Sequence, residues 1–214
     1  MLFLALSCLQ GGSAIEAASE LLELEPDGLQ LTPGNLPELE FEEWIKAQAI
    51  PFSLHHGFDW TMRRRKVWDE RSCKALPGAT VHAPLNPRDS GYMDLGVPLE
   101  IMYQGYGLGT GAEIEEAMER GVTLVVDVSH AYMQLCQKRM LPETWKRLQA
   151  YEKIVEVHVS ANDGTGDLHS PLEEDTFGIS WALEKKRSGI PMVLECYMHR
   201  LSVDDRKQQL EFLR

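Results

Sequence analysis

The sequence predicts an α/β chain folded as a compact (β/α)8 TIM barrel, and three observations predict it. Eight apolar, β-branched-rich runs recur roughly every 25 to 30 residues, and helix-like segments fill most of the intervals. No low-complexity tract or long linker breaks that rhythm. At 214 residues and 43% hydrophobic the chain can bury one good core but not two, so residues 1–214 read as a single domain. Buried parallel strands read as continuous Val/Ile/Leu runs joined by helical crossovers, which favours a closed barrel over an open doubly wound sheet. Barrels of this kind typically take ~250 residues, so this one must be lean.

Strands are expected near 2–8, 28–32, 50–55, 79–83, 97–102, 122–128, 154–160 and 191–197. Helices are expected over 13–24, 38–48, 60–75, 111–120, 142–151, 174–188 and 202–213. Ser13 with Glu16, and Ser202 with Asp205, have the spacing of N-caps, and Pro142 suits a first helical turn. Gly121 and Gly189 stand where helices stop. The segment 86–96 carries too much Pro, Gly and Asp for a good helix, so one crossover helix is expected to be reduced. The apolar opening Leu2–Cys8 lacks a basic leader, is too short to span a membrane, and reads as a first strand.

A formal charge of −12 works against a polyanionic partner, because phosphate contacts draw on Lys and Arg that are outnumbered here. The run Arg63–Lys66 is the one basic cluster, and it reads as a solvated helix face. Cys8, Cys73, Cys136 and Cys196 are widely spaced, without a CxxC pair or the density of a secreted scaffold, which fits a reducing cytoplasm.

In a barrel, chemistry gathers where strands end and all eight loops face one mouth. His55 and His56 end the third predicted strand, His82 lies on the fourth, Glu100 on the fifth, Asp127 and His130 at the sixth, His158 on the seventh, and Glu195 on the eighth. Asp167 and His169 follow two residues apart in the loop after the seventh. Six of the seven histidines, all but His199, fall at such places. Imidazoles and carboxylates without thiolates suit divalent Zn, Mn, Fe or Co, and a carboxylate can bridge two ions, so one to three are accommodated. For any single residue a helix cap, a loop hydrogen bond or a satisfied core histidine is the bland alternative. Alternation along a strand sets His56 opposite His55 and leaves it outside the ligand set.

The motifs Leu54-His55, Val81-His-Ala-Pro84, Leu99-Glu100, Asp127-Val-Ser-His130, Glu156-Val-His158, Asp167-Leu-His169 and Leu194-Glu195, in this order over the whole chain, resemble the xylose isomerase-like barrel superfamily. That superfamily includes sugar isomerases and epimerases and the endonuclease IV, or AP endonuclease 2, family. The isomerase branch implies one divalent ion on Glu100, Asp127, His158 and Glu195. The two glutamates would move a proton through an enediolate of a small polyhydroxylated substrate, with His130 on a substrate hydroxyl. The nuclease branch implies three ions: one on His55, His82 and bridging Glu100, a second on Asp127, His158 and Glu195, a third on His130, Asp167 and His169. Its substrate would be abasic DNA, against which the acidic charge and short loops weigh. A third branch, multinuclear nonheme iron oxidases that modify peptides, shares the barrel, though Ser160-Ala-Asn-Asp-Gly164 and Asp127-x-x-His130 differ from its pattern. The non-enzyme alternative is an inactive barrel acting as a binding protein, and the complete ligand set argues against it. The isomerase or epimerase reading leads.

Other features carry less. Gly105–Gly111 resembles a phosphate-binding loop but lacks the following Lys-Ser/Thr and reads as a flexible loop. Trp60, Tyr92, Tyr103, Tyr106 and Trp181 lie near the predicted mouth and could wall off a pocket, though large aromatics more often serve ordinary packing, and Arg88 and Arg200 follow strands four and eight, where they could hold an anion but read first as surface arginines. An apolar edge at the reduced crossover would suit a homodimer.

Overall fold

In the computed structural model, residues 1–63, 70–71 and 73–214 are described. Eight strands form: β1 (Leu2–Ala5), β2 (Gly28–Leu31), β3 (Phe52–Leu54), β4 (Val81–His82), β5 (Leu99–Glu100), β6 (Leu124–Asp127), β7 (Ile154–Val159) and β8 (Met192–Leu194). All pair in parallel, in the order β3-β2-β1-β8-β7-β6-β5-β4. The outermost strands, β3 and β4, meet at a bridge between His55 and Thr80, where the Thr80 amide donates to the Leu54 carbonyl at 3.0 Å. The sheet is thus curled as in a TIM barrel. Its interior is filled, because Gln30 of β2 and Glu156 of β7 are not sheet neighbours yet hydrogen-bond at 2.8 Å.

The helices are α1 (Ala14–Leu22), α2 (Phe41–Ala47), α3 (Gly111–Arg120), α4 (Val128–Cys136), α5 (Pro142–Gln149), α6 (Ile179–Arg187) and α7 (Val203–Glu211). Local chemistry explains most of their limits. Ser13 accepts from the Glu16 amide to start α1, whose Ala14, Ala17, Ala18 and Leu21 recur at helical spacing and are buried. Thr110 caps α3 and Gly121, left-handed at φ 73°, ends it. Pro142 occupies the first turn of α5, and Ser202 with Asp205 makes a full capping box on α7.

Three expectations change. Every strand is shorter than its apolar run: Pro84 and Pro98, which cannot donate to a ladder, flank the two-residue strands β4 and β5, and Leu6–Leu9 turns into a 3-10 helix. Of the helix expected over 60–75, residues 64–69 and 72, and with them most of the basic run, lie outside the described residues; the described remainder is turn and irregular backbone. Helix α4 was not anticipated. It starts directly from β6 because the Asp127 carboxylate accepts from the Ser129 and His130 amides, at 2.6 and 3.1 Å. The segment 86–96 holds a 3-10 helix, Ser90–Asp94.

Candidate metal centre

The strand ends bring all nine predicted ligands into one connected group. Asp127 and His158 are register partners on β6 and β7, and His82 and Glu100 are partners on β4 and β5. At the centre stands the His158 ring, fully buried, with Nδ1 3.4 Å from Glu100 Oε2 and 3.5 Å from Glu195 Oε1. Its other nitrogen, Nε2, lies 2.8 Å from Glu156 Oε1, which also accepts from Gln30. Nε2 is thus held by Glu156, and Nδ1 is the nitrogen left to a metal ion, the arrangement in which a buried acid orients a metal-binding histidine. His55, Glu100 and His158 offer ligand atoms within 4.8 Å of one another, as do Glu100, Asp127 and His130, and Asp127, His158 and Glu195.

Two further groups flank this one. On the β3–β4 side, His55 Nε2 and His82 Nε2 are 2.8 Å apart, and Glu100 Oε2 is 3.5 and 3.8 Å from them. Thr80 Oγ1 sits 2.8 Å from His55 Nδ1 and fixes the ring. On the β7 side, Asp167 Oδ1 lies 3.6 Å from His130 Nε2 and 3.2 Å from His169 Nε2, while His130 Nδ1 meets the Ile101 carbonyl at 2.9 Å.

The loop holding Asp167 and His169 is fastened at both ends. Ala161 and Ser170 exchange backbone hydrogen bonds of 2.9 and 2.8 Å, and Asn162 reaches the Ser129 carbonyl of α4 at 2.9 Å. Gly164, at φ 81°, lets the loop lie on α4, where an added Cβ would come 2.6 Å from Cys136 Sγ. His169 itself adopts φ 46°, a left-handed conformation uncommon for a side-chain-bearing residue and the kind that collects at functional sites.

Charge in the cluster is uneven. Burial and adjacent imidazoles push His55 and His82 well below the ordinary histidine range, leaving both neutral, as metal binding requires. Burial opposes charge on His158 and His130 too, but surrounding carboxylates, Glu195 and Glu100 at the first and Asp127 and Asp167 at the second, raise both. Burial lifts Glu100 against the pull of His158, whereas at Glu195 burial, the largest single influence, is overcome by His158 together with His169 and His130, which lower it. Two carboxyls at one imidazole are thus driven apart in proton affinity, as an acid and base pair needs.

The donor set suits a divalent cation. Among the described residues, Glu100 Oε2, Asp127 Oδ2, His130 Nε2, His158 Nδ1 and Asp167 Oδ1 are buried without a hydrogen-bond partner in the protein. Leaving so many polar atoms unpaired is costly, and one or more ions held among them would satisfy them.

Around the cluster, sequence reading found some neighbours and missed others. Tyr103 packs on His130, ring centres 5.0 Å apart. His56, buried just after β3, stacks against His82 at 5.0 Å. Trp60 belongs instead to an aromatic group with Phe41, Phe52 and Phe58, and Trp181 packs on Trp145 with its indole N–H on the Gln149 carbonyl; both serve packing. The glycines of 105–111 allow close packing, since a Cβ on Gly107 would strike Tyr92. Glu156, Gln30 and Thr80 were not anticipated as supports. Period-two alternation signals the first, because Glu156 shares a strand face with His158.

Neither a protein-family model nor a curated protein sequence matches this chain. Solved structures do. A D-tagatose 3-epimerase-like protein superposes with a TM-score of 0.63 at 15% identity, covering 99% of this chain and 97% of that one. The TTHB071 protein from Thermus thermophilus, soaked with ZnCl2, superposes at 0.58 and 18% identity, covering 99% and 95%. The resemblance to xylose isomerase-like barrels therefore holds for the fold, over nearly the whole chain. No helix among the described residues is long and apolar enough to cross a membrane.

Proposed function

We propose that this protein is a divalent-metal-dependent isomerase or epimerase that moves a proton on a small, sugar-like polyhydroxylated substrate. The observation that carries the reading is the meeting of Glu100 and Glu195 at His158 Nδ1, at 3.4 and 3.5 Å, with Nε2 of that ring tied to Glu156. Glu100, Asp127, His158 and Glu195 would hold the ion. Bound there, a divalent ion would supply Lewis acidity toward the neighbouring oxygens of the substrate. Of Glu100 and Glu195, which meet at the same imidazole, one takes the proton from the carbon next to a carbonyl and the other returns one. His130 then faces a substrate hydroxyl. The fold shared with an epimerase-like protein and the zinc-soaked TTHB071 agrees with this class of chemistry.

The test is wash-in of solvent deuterium at a single carbon of candidate ketoses, run beside metal analysis. Exchange with about one tightly held Mn, Zn, Fe or Co per chain supports the reading. Metal-free protein whose metal uptake is unchanged by Glu100→Gln sinks it.

A second reading rests on the flanking groups. His55 with His82, and Asp167 with His130 and His169, are spaced to hold further ions. Two or three ions per chain with cleavage of abasic duplex DNA would instead favour an endonuclease IV-like hydrolase. Bound iron with oxygen-dependent turnover would favour the peptide-modifying oxidases.

A further inference from the structure

The loops leaving β7 and β8 line an open cavity of about 510 Å³, within the range of small-molecule sites. One wall is the His169 ring, whose Nε2 faces Asp167 at 3.2 Å and whose buried Nδ1 has no hydrogen-bond partner in the protein. Tyr197 lies against that ring, centres 5.0 Å apart, and its amide donates to the His169 carbonyl at 2.8 Å, so the two loops are joined here. The cavity therefore borders the candidate metal centre through the His169 ring. Leu168 and Leu201 supply an apolar side, while exposed His199 and Arg200 stand at the rim.

The charge of this cavity runs against that of the chain. Although acidic residues outnumber basic ones 33 to 21, no Asp or Glu lines it. Among the described residues the Arg200 guanidinium is in no ion pair and no hydrogen bond; exposed Arg88, Arg139 and Arg187 are likewise unpaired, but only Arg200 lines this cavity. A planar cation left unpaired beside a site, next to a cavity without carboxylates, is suited to a two-oxygen anion.

We propose that this cavity is a substrate subsite for an oxyanion, a phosphate ester or a carboxylate, at the end of the sugar-like chain remote from the reacting carbon. Arg200 is its specificity-determining residue, and Leu168 and Leu201 pack along the carbon skeleton. The proposal rests on the isomerase or epimerase reading and narrows its substrate to an anionic polyol.

The experiment measures, by calorimetry on the full-length metal-loaded protein, binding of D-ribulose 5-phosphate, D-glucuronate and neutral D-ribulose. Wild type is compared with Arg200→Ala and Arg200→Lys, and metal content is checked in each. At least one anionic sugar should bind tenfold or more tightly than D-ribulose. Arg200→Ala should remove that preference, Arg200→Lys should restore part of it, and neither should alter D-ribulose binding or metal content. Which anion loses affinity tells phosphate from carboxylate. Absence of measurable binding by either anion, or affinity unchanged in Arg200→Ala because the oxyanion sits on the metal, overturns the proposal. Deuterium wash-in separates it from the reaction: an Arg200-dependent preference without exchange leaves the subsite and removes the isomerase, while exchange on neutral sugars with no gain from the anion does the reverse.

Discussion

The strand-borne carboxylates and imidazole at the centre of the cluster and the loop-borne pair beside them reach similar distances by different means. Glu100, Asp127, His158 and Glu195 sit on or just past β5 to β8, so strand register sets their positions, and all are buried. Asp167 and His169 owe their places to a loop closed by the Ala161–Ser170 bridge and seated on α4 through Gly164, and both are partly exposed. Register cannot relax without loss of the sheet, whereas a loop can be loosened by one substitution. The inner group is thus suited to the reaction common to a fold, and the outer arm to what is particular to one protein.

That contrast can be broken at several points, beginning with the largest effect. Glu195→Gln should lower deuterium wash-in by about 10³-fold, within the range for loss of a general acid or base. Asp167→Asn should lower it about tenfold or less while the central ion stays bound. Equal losses in the two variants, by wash-in and by metal analysis, would erase the distinction between inner and outer groups.

The outer arm should contribute its own part to the pH dependence of the metal-free protein. Burial works against a charged His169, but Asp167 raises it to about 9. A raised histidine adds stability that is complete below its unfolded value near 6.5 and is lost as pH climbs through about 9. That window is worth on the order of 3 kcal/mol. Urea titrations of metal-stripped protein should show stability falling between those pH values, and Asp167→Asn should flatten the fall.

Glu156→Gln tests the support of the inner group. It keeps the volume but weakens the hold on His158 Nε2, and metal affinity should drop by about 10 to 100-fold in a chelator competition. The smallest effect belongs to Gly164→Ala, whose Cβ meets Cys136 and whose φ is left-handed. About 1 kcal/mol of stability should be lost, with faster amide exchange confined to the loop and the central ion unaffected.

Particular residues show how much of this was legible beforehand. Eight strands could be read because buried parallel strands repeat β-branched apolar residues, as in Leu124-Val-Val and Ile154-Val-Glu-Val. Their lengths could not be, because an apolar run is longer than the ladder it forms wherever proline withholds a donor, as at Pro84 and Pro98. Helix α4 escaped because Asp127 reads first as a ligand, and only its carboxylate's hold on two amides reveals it also as a cap. Position in the chain left Trp60 and Trp181 open between walling a pocket and ordinary packing, and their ring contacts with Phe41 and Trp145 favour packing.

By itself, the sequence determined which residue types arrive at the strand ends, since pattern and period are properties of the chain alone. Only the tertiary structure decided that nine of them share one centre, which His158 nitrogen faces the carboxylates, and that Arg200 stands beside a cavity without acids. Those depend on how far the sheet curls before β3 meets β4, and on contacts between residues 126 apart such as Gln30 and Glu156. Such long-range contacts leave no periodic trace in the order of the residues that make them.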